Sequence, residues 1–288
     1  MSASEPREPS VLALASSPVV SLAEGTSVRD AIRIMAEKGF RRLPIVEPGT
    51  GRLKGIITAT DIIGYLAYGP KHELLTRKYG EDLERALGEP VSNVGTKDVV
   101  SIRLDGSLSE AIRLMAERKV GGLPVVDQDG RLWAIITERD VVKALAGKIT
   151  GSKVSELMTK EVVTASPEET VLEAMRKMVS KGFRRLPLVR EGHLVGIVTS
   201  MDIIRFIAKA NEEGRLEPDI LSTRLEEVAT KEVITITSDE DVGRAAELMH
   251  KHGIGALPVL DPGTGKLVGI ITERDFFKLL FPEKEHEA

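Results

Sequence analysis

Four near-copies of one pattern run the length of the chain, and they limit its fold more than any other feature. They read GFRRLPIVEPGTGRLKGIITATD at 39–61, VGGLPVVDQDGRLWAIITERD at 120–140, GFRRLPLVREGHLVGIVTSMD at 182–202 and GIGALPVLDPGTGKLVGIITERD at 253–275. Each carries Leu-Pro, a short apolar run, a Gly-containing turn, a second apolar run ending in Thr, two residues and then Asp. A repeat of this kind is one supersecondary unit that cannot bury its own apolar face and must pack against a neighbour.

Other signals extend the unit in both directions. Upstream of the copies lie SSPVVS at 16–21, TKDVVS at 96–101, TKEVVT at 159–164 and TKEVIT at 230–235, short β-branched runs that predict a first strand. A helix signal follows each. In SLSEAIRLMAERK, Ser107 and Glu110 have capping-box spacing and Ala111, Ile112, Leu114 and Met115 keep helical rhythm. In the third copy Ser166 reads as the N-cap and Pro167 as the first helical residue. The turns at Pro48-Gly49, Asp129-Gly130, Gly192 and Pro262-Gly263 suit a hairpin, and a short, broadly apolar helix follows each Asp. The unit is therefore β-α-β-β-α, and the fold class is α/β.

The copies alternate. KGFRRLP stands at both 38–44 and 181–187, whereas copies 2 and 4 carry Gly121-Gly122 and Gly255-Ala256 before Leu-Pro and end in ITERD. The Leu-Pro sites lie 80, 63 and 71 residues apart, so the longer spacers fall inside each A-B pair and the chain reads as a duplicated pair. KHELLTRKYGEDLERAL at 71–87 predicts an extra amphipathic helix with Leu75, Tyr79, Leu83 and Leu87 on one face. ANEEGRLEPDILSTRL at 210–225 reads as a looser linker.

Composition narrows the function. A hydrophobic fraction of 42% and a charged fraction of 29% describe a globular chain, and a net charge of -4 offers no broad basic surface for nucleic acid. No cysteine is present, which removes disulfides, thiolate metal sites and cysteine nucleophiles. VLALASSPVV at 11–20 is a poor secretory signal and no apolar run approaches membrane-spanning length, so a cytoplasmic location without membrane partners is expected. Asn and Gln occur only as Asn93, Gln128 and Asn211, a scarcity that fits a heat-adapted source.

The chemistry concentrates in Thr-x-x-Asp at the end of the third strand: Thr58 and Asp61, Thr137 and Asp140, Thr199 and Asp202, Thr272 and Asp275. Such a corner sets a carboxylate in a first helical turn beside free N–H groups, where amides can take a phosphate and the carboxylate can accept ribose hydroxyls. The same spacing also makes a capping box that needs no ligand, and the pattern alone leaves both readings open. Arg41, Arg42, Arg184 and Arg185 supply guanidinium groups that match phosphate oxygens, against the alternative of a solvated strand end. Where the strand has already begun at the pair, alternation lets at most one arginine of each pair enter a given cleft. Arg139 and Arg274, within the TERD corners, read first as surface salt bridges. His250-Lys251-His252 argues no metal site, and Trp133 is read as packing. No phosphate-binding Gly-Lys-Ser/Thr loop or Gly-x-Ser-x-Gly elbow occurs, so no catalytic set is expected and the chain is read as a non-enzyme.

With their LPVVD, GIIT and Thr-x-x-Asp segments, the four units resemble CBS domains, named after cystathionine β-synthase, over about Val11 to Leu280. The arrangement resembles two tandem pairs, or Bateman modules, and is similar to the gamma subunit of AMP-activated protein kinase and to archaeal stand-alone proteins of four CBS domains. The resemblance implies repeats at 11–69, 91–147, 153–209 and 224–281, a helical linker at 70–90 and a second linker at 210–223. It also implies two pseudo-twofold tandem modules whose clefts bind AMP, ADP or ATP, or in some members S-adenosylmethionine. By the same resemblance Asp61, Asp140, Asp202 and Asp275 hold ribose. Thr58, Thr137, Thr199 and Thr272, with Arg41, Arg42, Arg184 and Arg185, lie at phosphate. Copies 2 and 4 depart from the arginine pattern, so unequal sites are expected, and Phe40 and Phe183 are candidate adenine contacts.

The leading expectation is a regulatory adenine-nucleotide sensor acting on an unidentified protein, with a homodimer among its possible states. The alternatives are a sensor of S-adenosylmethionine or a related adenosyl ligand, and an assembly scaffold whose corners bind nothing.

Overall fold

A computed structural model of the chain describes residues 8–280. Repeat 1 runs β1 (Leu22–Ala23), α1 (Val28–Lys38), β2 (Arg42–Val46), β3 (Leu53–Thr58) and α2 (Ala59–Ala67), and is followed by α3 (Pro70–Tyr79) and α4 (Leu83–Ala86). Repeat 2 runs α5 (Val91–Val94), β4 (Ile102–Arg103), α6 (Leu108–Glu117), β5 (Gly122–Val126), β6 (Leu132–Thr137) and α7 (Glu138–Leu145). Repeat 3 has α8 (Val154–Leu157), α9 (Val171–Lys181), β7 (Arg185–Arg190), β8 (His193–Thr199) and α10 (Ser200–Glu212). Repeat 4 has α11 (Leu225–Val228), β9 (Ile236–Thr237), α12 (Val242–His252), β10 (Ala256–Leu260), β11 (Leu267–Thr272), a 3-10 turn at Glu273–Phe276 and α13 (Phe277–Leu280). The expected end of repeat 4 at 281 lies outside the described residues. Among the described residues, no helix is long and apolar enough to cross a membrane.

Local chemistry explains these boundaries. Helix α1 starts at Ser27, whose hydroxyl accepts the Asp30 N–H at 3.1 Å, and it stops at Gly39 with φ 70°. Between them Val28, Ala31, Ile32 and Met35 form one buried face. Repeat 2 places Lys119 where repeat 1 has Gly39, and the lysine takes a left-handed φ of 53°. Each antiparallel hairpin keeps the expected pairing, with a register shift one residue after the strand centre, as between Ile45 and Val46.

Three expectations need correction. Helix α9 begins at Val171 rather than Pro167, because Thr170 and Glu173 form the capping box while Ser166 and Pro167 lie in the preceding turn. The single helix expected at 71–87 is two, broken at Gly80 with φ 62° and restarted by Asp82, whose carboxylate accepts the Arg85 N–H at 3.0 Å. Its predicted face nevertheless turns inward, since Leu75, Leu83 and Leu87 are buried.

The third correction concerns the β-branched runs, which do not form the first strand of their own repeats. Their leading residue instead bridges to the third strand of the tandem neighbour. Ser16 exchanges backbone hydrogen bonds with Ile135 at 2.8 and 3.1 Å, and Thr96 with Ile56 at 2.8 and 2.9 Å. Thr159 does so with Ile270, and Thr230 with Ile197, at 2.9 Å. The true first strands come later, at β1, β4 and β9, and in repeat 3 only as a bridge from Ala165 to Leu188. The leading residue of each run is therefore paired within the unit that holds its tandem neighbour's hairpin.

The chain divides inside those same runs, at Val19-Val20, Val99-Val100, Val162-Val163 and Val233-Ile234. One compact unit comprises Val20–Val99 and Val163–Val233, and the other holds the remaining described residues. In the first unit α1 packs on α10, α2 on α9 and α10, and α3 on α2. Ile32, Met35, Ile62, Ile63, Met175, Ile203 and Ile204 form one continuous core, so repeats 1 and 3 share an interior. In the second unit α7 packs on α12 and on the turn at 273–276. There repeat 2 lends Val142 to the core of repeat 4, and repeat 4 lends Phe277 to the core of repeat 2. The neighbour that buries each repeat's helical face is thus the like repeat.

Candidate functional site at the Thr-x-x-Asp corners

All four corners are built alike. The third strand ends at the Thr, the next residue starts a helical turn, and the Asp falls at its third position. The Asp Oδ2 accepts the backbone N–H of the Thr at 2.8 Å in every repeat. It also accepts the Thr hydroxyl, at 2.7, 2.7, 2.6 and 2.9 Å in chain order. In repeats 1 and 3 the Asp N–H returns a bond to the Thr Oγ1 at 3.1 and 3.2 Å. Capping therefore takes one carboxylate oxygen and leaves Oδ1 for other partners.

Those partners differ. Lys71 Nζ donates to Asp61 Oδ1 at 2.5 Å, Arg205 Nη1 to Asp202 Oδ1 at 3.4 Å, and Lys278 Nζ to Asp275 Oδ1 at 2.8 Å. Asp140 has no ion pair among the described residues. Arg205 and Lys278 sit one turn along the helix from their Asp, whereas Lys71 comes from the inserted helix α3.

Strand register brings the arginines to the corners. Arg42 pairs across the hairpin with Thr58, and Arg185 with Thr199. Residues directly opposite in an antiparallel pair lie about 5 Å apart, so each such arginine starts beside its own corner. The carbonyls of Arg41 and Arg184 accept the first helical N–H, from Ala59 at 2.9 Å and Ser200 at 2.8 Å. Gly122 and Ala256 occupy the corresponding places opposite Thr137 and Thr272. Phe40 and Phe183 are exposed.

Repeats 2 and 4 put their acidic groups to a different use. Glu138 and Glu273 are buried, and each meets the other repeat's arginine: Arg139 Nε lies 3.1 Å from Glu273 Oε1, and Arg274 Nε 2.8 Å from Glu138 Oε1. Arg274 Nη2 also donates to the Lys119 carbonyl at 3.1 Å, which the left-handed turn presents. These are not surface salt bridges, because their carboxylates are fully enclosed. In repeat 4 the first of the two small residues before Leu-Pro has the same origin: a Cβ at Gly255 would lie 2.6 Å from Glu273 Oε2. In repeat 4 the space beside that glycine is taken by an acid whose ion-pair partner is Arg139 of repeat 2.

A buried acid also anchors the insert. Glu89 accepts from Lys78 Nζ at 2.8 and 3.0 Å, from Asn93 Nδ2 at 2.6 Å and from the Tyr79 hydroxyl. Burial alone would push the Glu89 carboxyl up, but these hydrogen bonds outweigh it and hold the group below its ordinary value. A cavity of about 230 Å³ in the first unit, lined by Glu24, Ile45, Lys54, Gly55, Ser92, Gly95, Thr96 and Lys97, includes none of the predicted site residues. Among the described residues, no group of three His, Asp or Glu is placed to hold a metal ion. Lys71, Glu138 and Glu273 escaped the sequence reading. The only available signals were a lysine at the start of the insert and the Glu shared by the two TERD corners.

Known proteins with this architecture are numerous. The CBS domain is matched four times along the chain, at residues 11–68, 91–147, 154–209 and 225–282. The uncharacterized protein MJ1225 of Methanocaldococcus jannaschii is 36% identical over 265 residues, covering 90% of this chain and 94% of that protein. Its crystal structure, described as that of a candidate archaeal homolog of g-AMPK, superposes with a TM-score of 0.88 over 94% of this chain and 99% of that one. An uncharacterized 33.4 kDa protein of Thermofilum pendens is 36% identical over 262 residues, covering 90% of this chain and 86% of that protein. An uncharacterized conserved protein of Pyrococcus horikoshii, 23% identical with a TM-score of 0.60 over 94% of this chain and 99% of that one, shares the fold.

Proposed function

The chain belongs to the CBS-domain family, whose repeats serve as regulatory ligand-binding modules, and from that premise we propose that it is a sensor of adenine nucleotides. AMP, ADP or ATP is held at the Thr-x-x-Asp corners, and occupancy is passed to a protein partner. The observation that carries this reading is the hairpin register that sets Arg42 across from Thr58 and Arg185 across from Thr199. That register starts each arginine beside a corner Asp, and a guanidinium there would match phosphate while the carboxylate would accept ribose hydroxyls. Similarity to MJ1225, whose structure is described through g-AMPK, adds support for a nucleotide. In this reading Asp61, Asp140, Asp202 and Asp275 take sugar hydroxyls, and the four threonines with Arg42 and Arg185 lie at phosphate. Arg41 and Arg184 precede the strands, and their carbonyls accept the first helical N–H. Regulation then requires only that nucleotide bind one arrangement of the chain better than another.

S-adenosylmethionine is the nearest alternative ligand, and it lacks the phosphate that the arginines would meet. Isothermal titration of the full chain with AMP, ATP and S-adenosylmethionine distinguishes the ligands. AMP or ATP is expected to bind, and Arg42→Ala with Arg185→Ala to weaken that binding more than any binding of S-adenosylmethionine. Absence of heat with all three would defeat the reading. The scaffold reading is favoured by the capping bonds at every corner, which give each Asp a structural task. It requires the four Asp→Ala substitutions to change melting temperature and nothing else.

A further inference from the structure

The four corners carry unequal numbers of open acceptor positions, and the inserted helix is the main cause in repeat 1. A carboxylate offers about four lone-pair directions. At Asp61, Oδ2 accepts two bonds from Thr58 and Oδ1 accepts the Lys71 ammonium at 2.5 Å, so one direction remains. At Asp140, Oδ2 accepts two bonds from Thr137, and among the described residues nothing donates to Oδ1, so two remain. A ribose cis-diol brings two hydroxyl donors, which Asp140 can satisfy and the paired Asp61 cannot.

Lys71 differs from the other cations in how its backbone is held. Arg205 and Lys278 project from the same helical turn as their Asp, with side chains 52% and 59% exposed; Arg205 can swing into water with little loss, while Lys278 has one further tie, to the Leu157 carbonyl at 3.1 Å. Lys71 is 34% exposed and belongs to α3, which is fixed along its whole length. Pro70 starts the helix, the His72 ring nitrogen meets the Tyr65 carbonyl at 3.1 Å, and Leu75 is buried. Lys78 and Tyr79 close the far end on buried Glu89. Repeat 3 has no counterpart of this helix, because α10 continues to Glu212 instead.

We infer that Lys71 is a specificity-determining residue: it latches Asp61, so the repeat 1 corner takes a ribose-bearing ligand more weakly than the Asp140 corner. This rests on the nucleotide reading given above. The test is isothermal titration of the full chain with AMP, comparing wild type, Lys71→Ala, Lys71→Arg and Lys71→Ala with Asp61→Ala. Lys71→Ala is expected to tighten the weakest binding event by about tenfold, the worth of one hydrogen bond to a charged group. Lys71→Arg, which keeps a cation, should remain close to wild type, and adding Asp61→Ala should erase the gain. Lys71→Met, which retains the aliphatic stem, repeats the test should the alanine variant fold poorly. Binding by wild type that Lys71→Ala leaves unchanged or weakens overturns the latch and leaves the nucleotide reading intact. No binding by any variant overturns both.

Discussion

At the scale of single residues, the crossed pairs Arg139–Glu273 and Arg274–Glu138 show how a charge can be buried at acceptable cost. Each carboxylate is 1–2% exposed and would be strongly destabilising alone, while its arginine remains about 40% exposed and partly hydrated. Removing the arginine leaves the acid without that partner. Arg139→Ala is therefore expected to lower unfolding free energy by roughly 1–3 kcal/mol, the discounted range for a half-exposed donor to a buried acid. Urea midpoints measure the loss, and Glu273→Gln added to Arg139→Ala should recover part of it. A null effect of the single substitution would show that the crossed pair contributes nothing. Thr-x-x-Asp was visible in the sequence at all four corners, but its two tasks were not separable there. The structure shows the capping task at Oδ2 of every Asp, while Oδ1 meets a cation at Asp61, Asp202 and Asp275 and no ion pair at Asp140 among the described residues.

At the scale of elements, the C-terminal end of the inserted helix α3 is held by one buried acid. The Glu89 carboxyl lies below its ordinary value of 4.5, so its contribution is fully present above that pH and is lost as pH falls through the lowered value. Melting curves of wild type and Glu89→Gln should thus differ by a constant amount from neutrality to about pH 5 and converge below it. A gap that persists unchanged into acid would remove Glu89 as the anchor. The helices and hairpins themselves were readable from apolar spacing, caps and turns, because those signals report hydrogen bonds made within a few residues. The failures have local causes of the same kind. Gly80 outweighed an otherwise continuous apolar stripe, and Thr170 with Glu173 formed a better cap than Ser166 with Pro167. The β-branched runs failed differently: their composition is that of a strand, but their partner lies in another repeat.

At the scale of the whole molecule, each compact unit draws on both halves of the chain. Helices α1 and α2 bury Ile32, Met35, Ile62 and Ile63 against α9 and α10, and residues 1–149 alone lack those partners. Leaving several large aliphatic side chains in water costs roughly 1.5–3 kcal/mol each. The fragment 1–149 is therefore expected to self-associate, and sedimentation should find a dimer in place of a monomer. A well-folded monomer would contradict the shared core. The sequence by itself determined the number of repeats, their alternation, the β-α-β-β-α order, the hairpins and the recurring Thr-x-x-Asp corner, since all of these are written in local periodicity and turn chemistry. Tertiary structure alone decided that helical faces join repeat 1 to repeat 3 and repeat 2 to repeat 4, that the leading residue of each β-branched run pairs with its tandem neighbour's hairpin, and that Lys71 reaches Asp61. Four repeats with nearly the same apolar faces make every partner look alike along the chain, and only global burial and connectivity select among them.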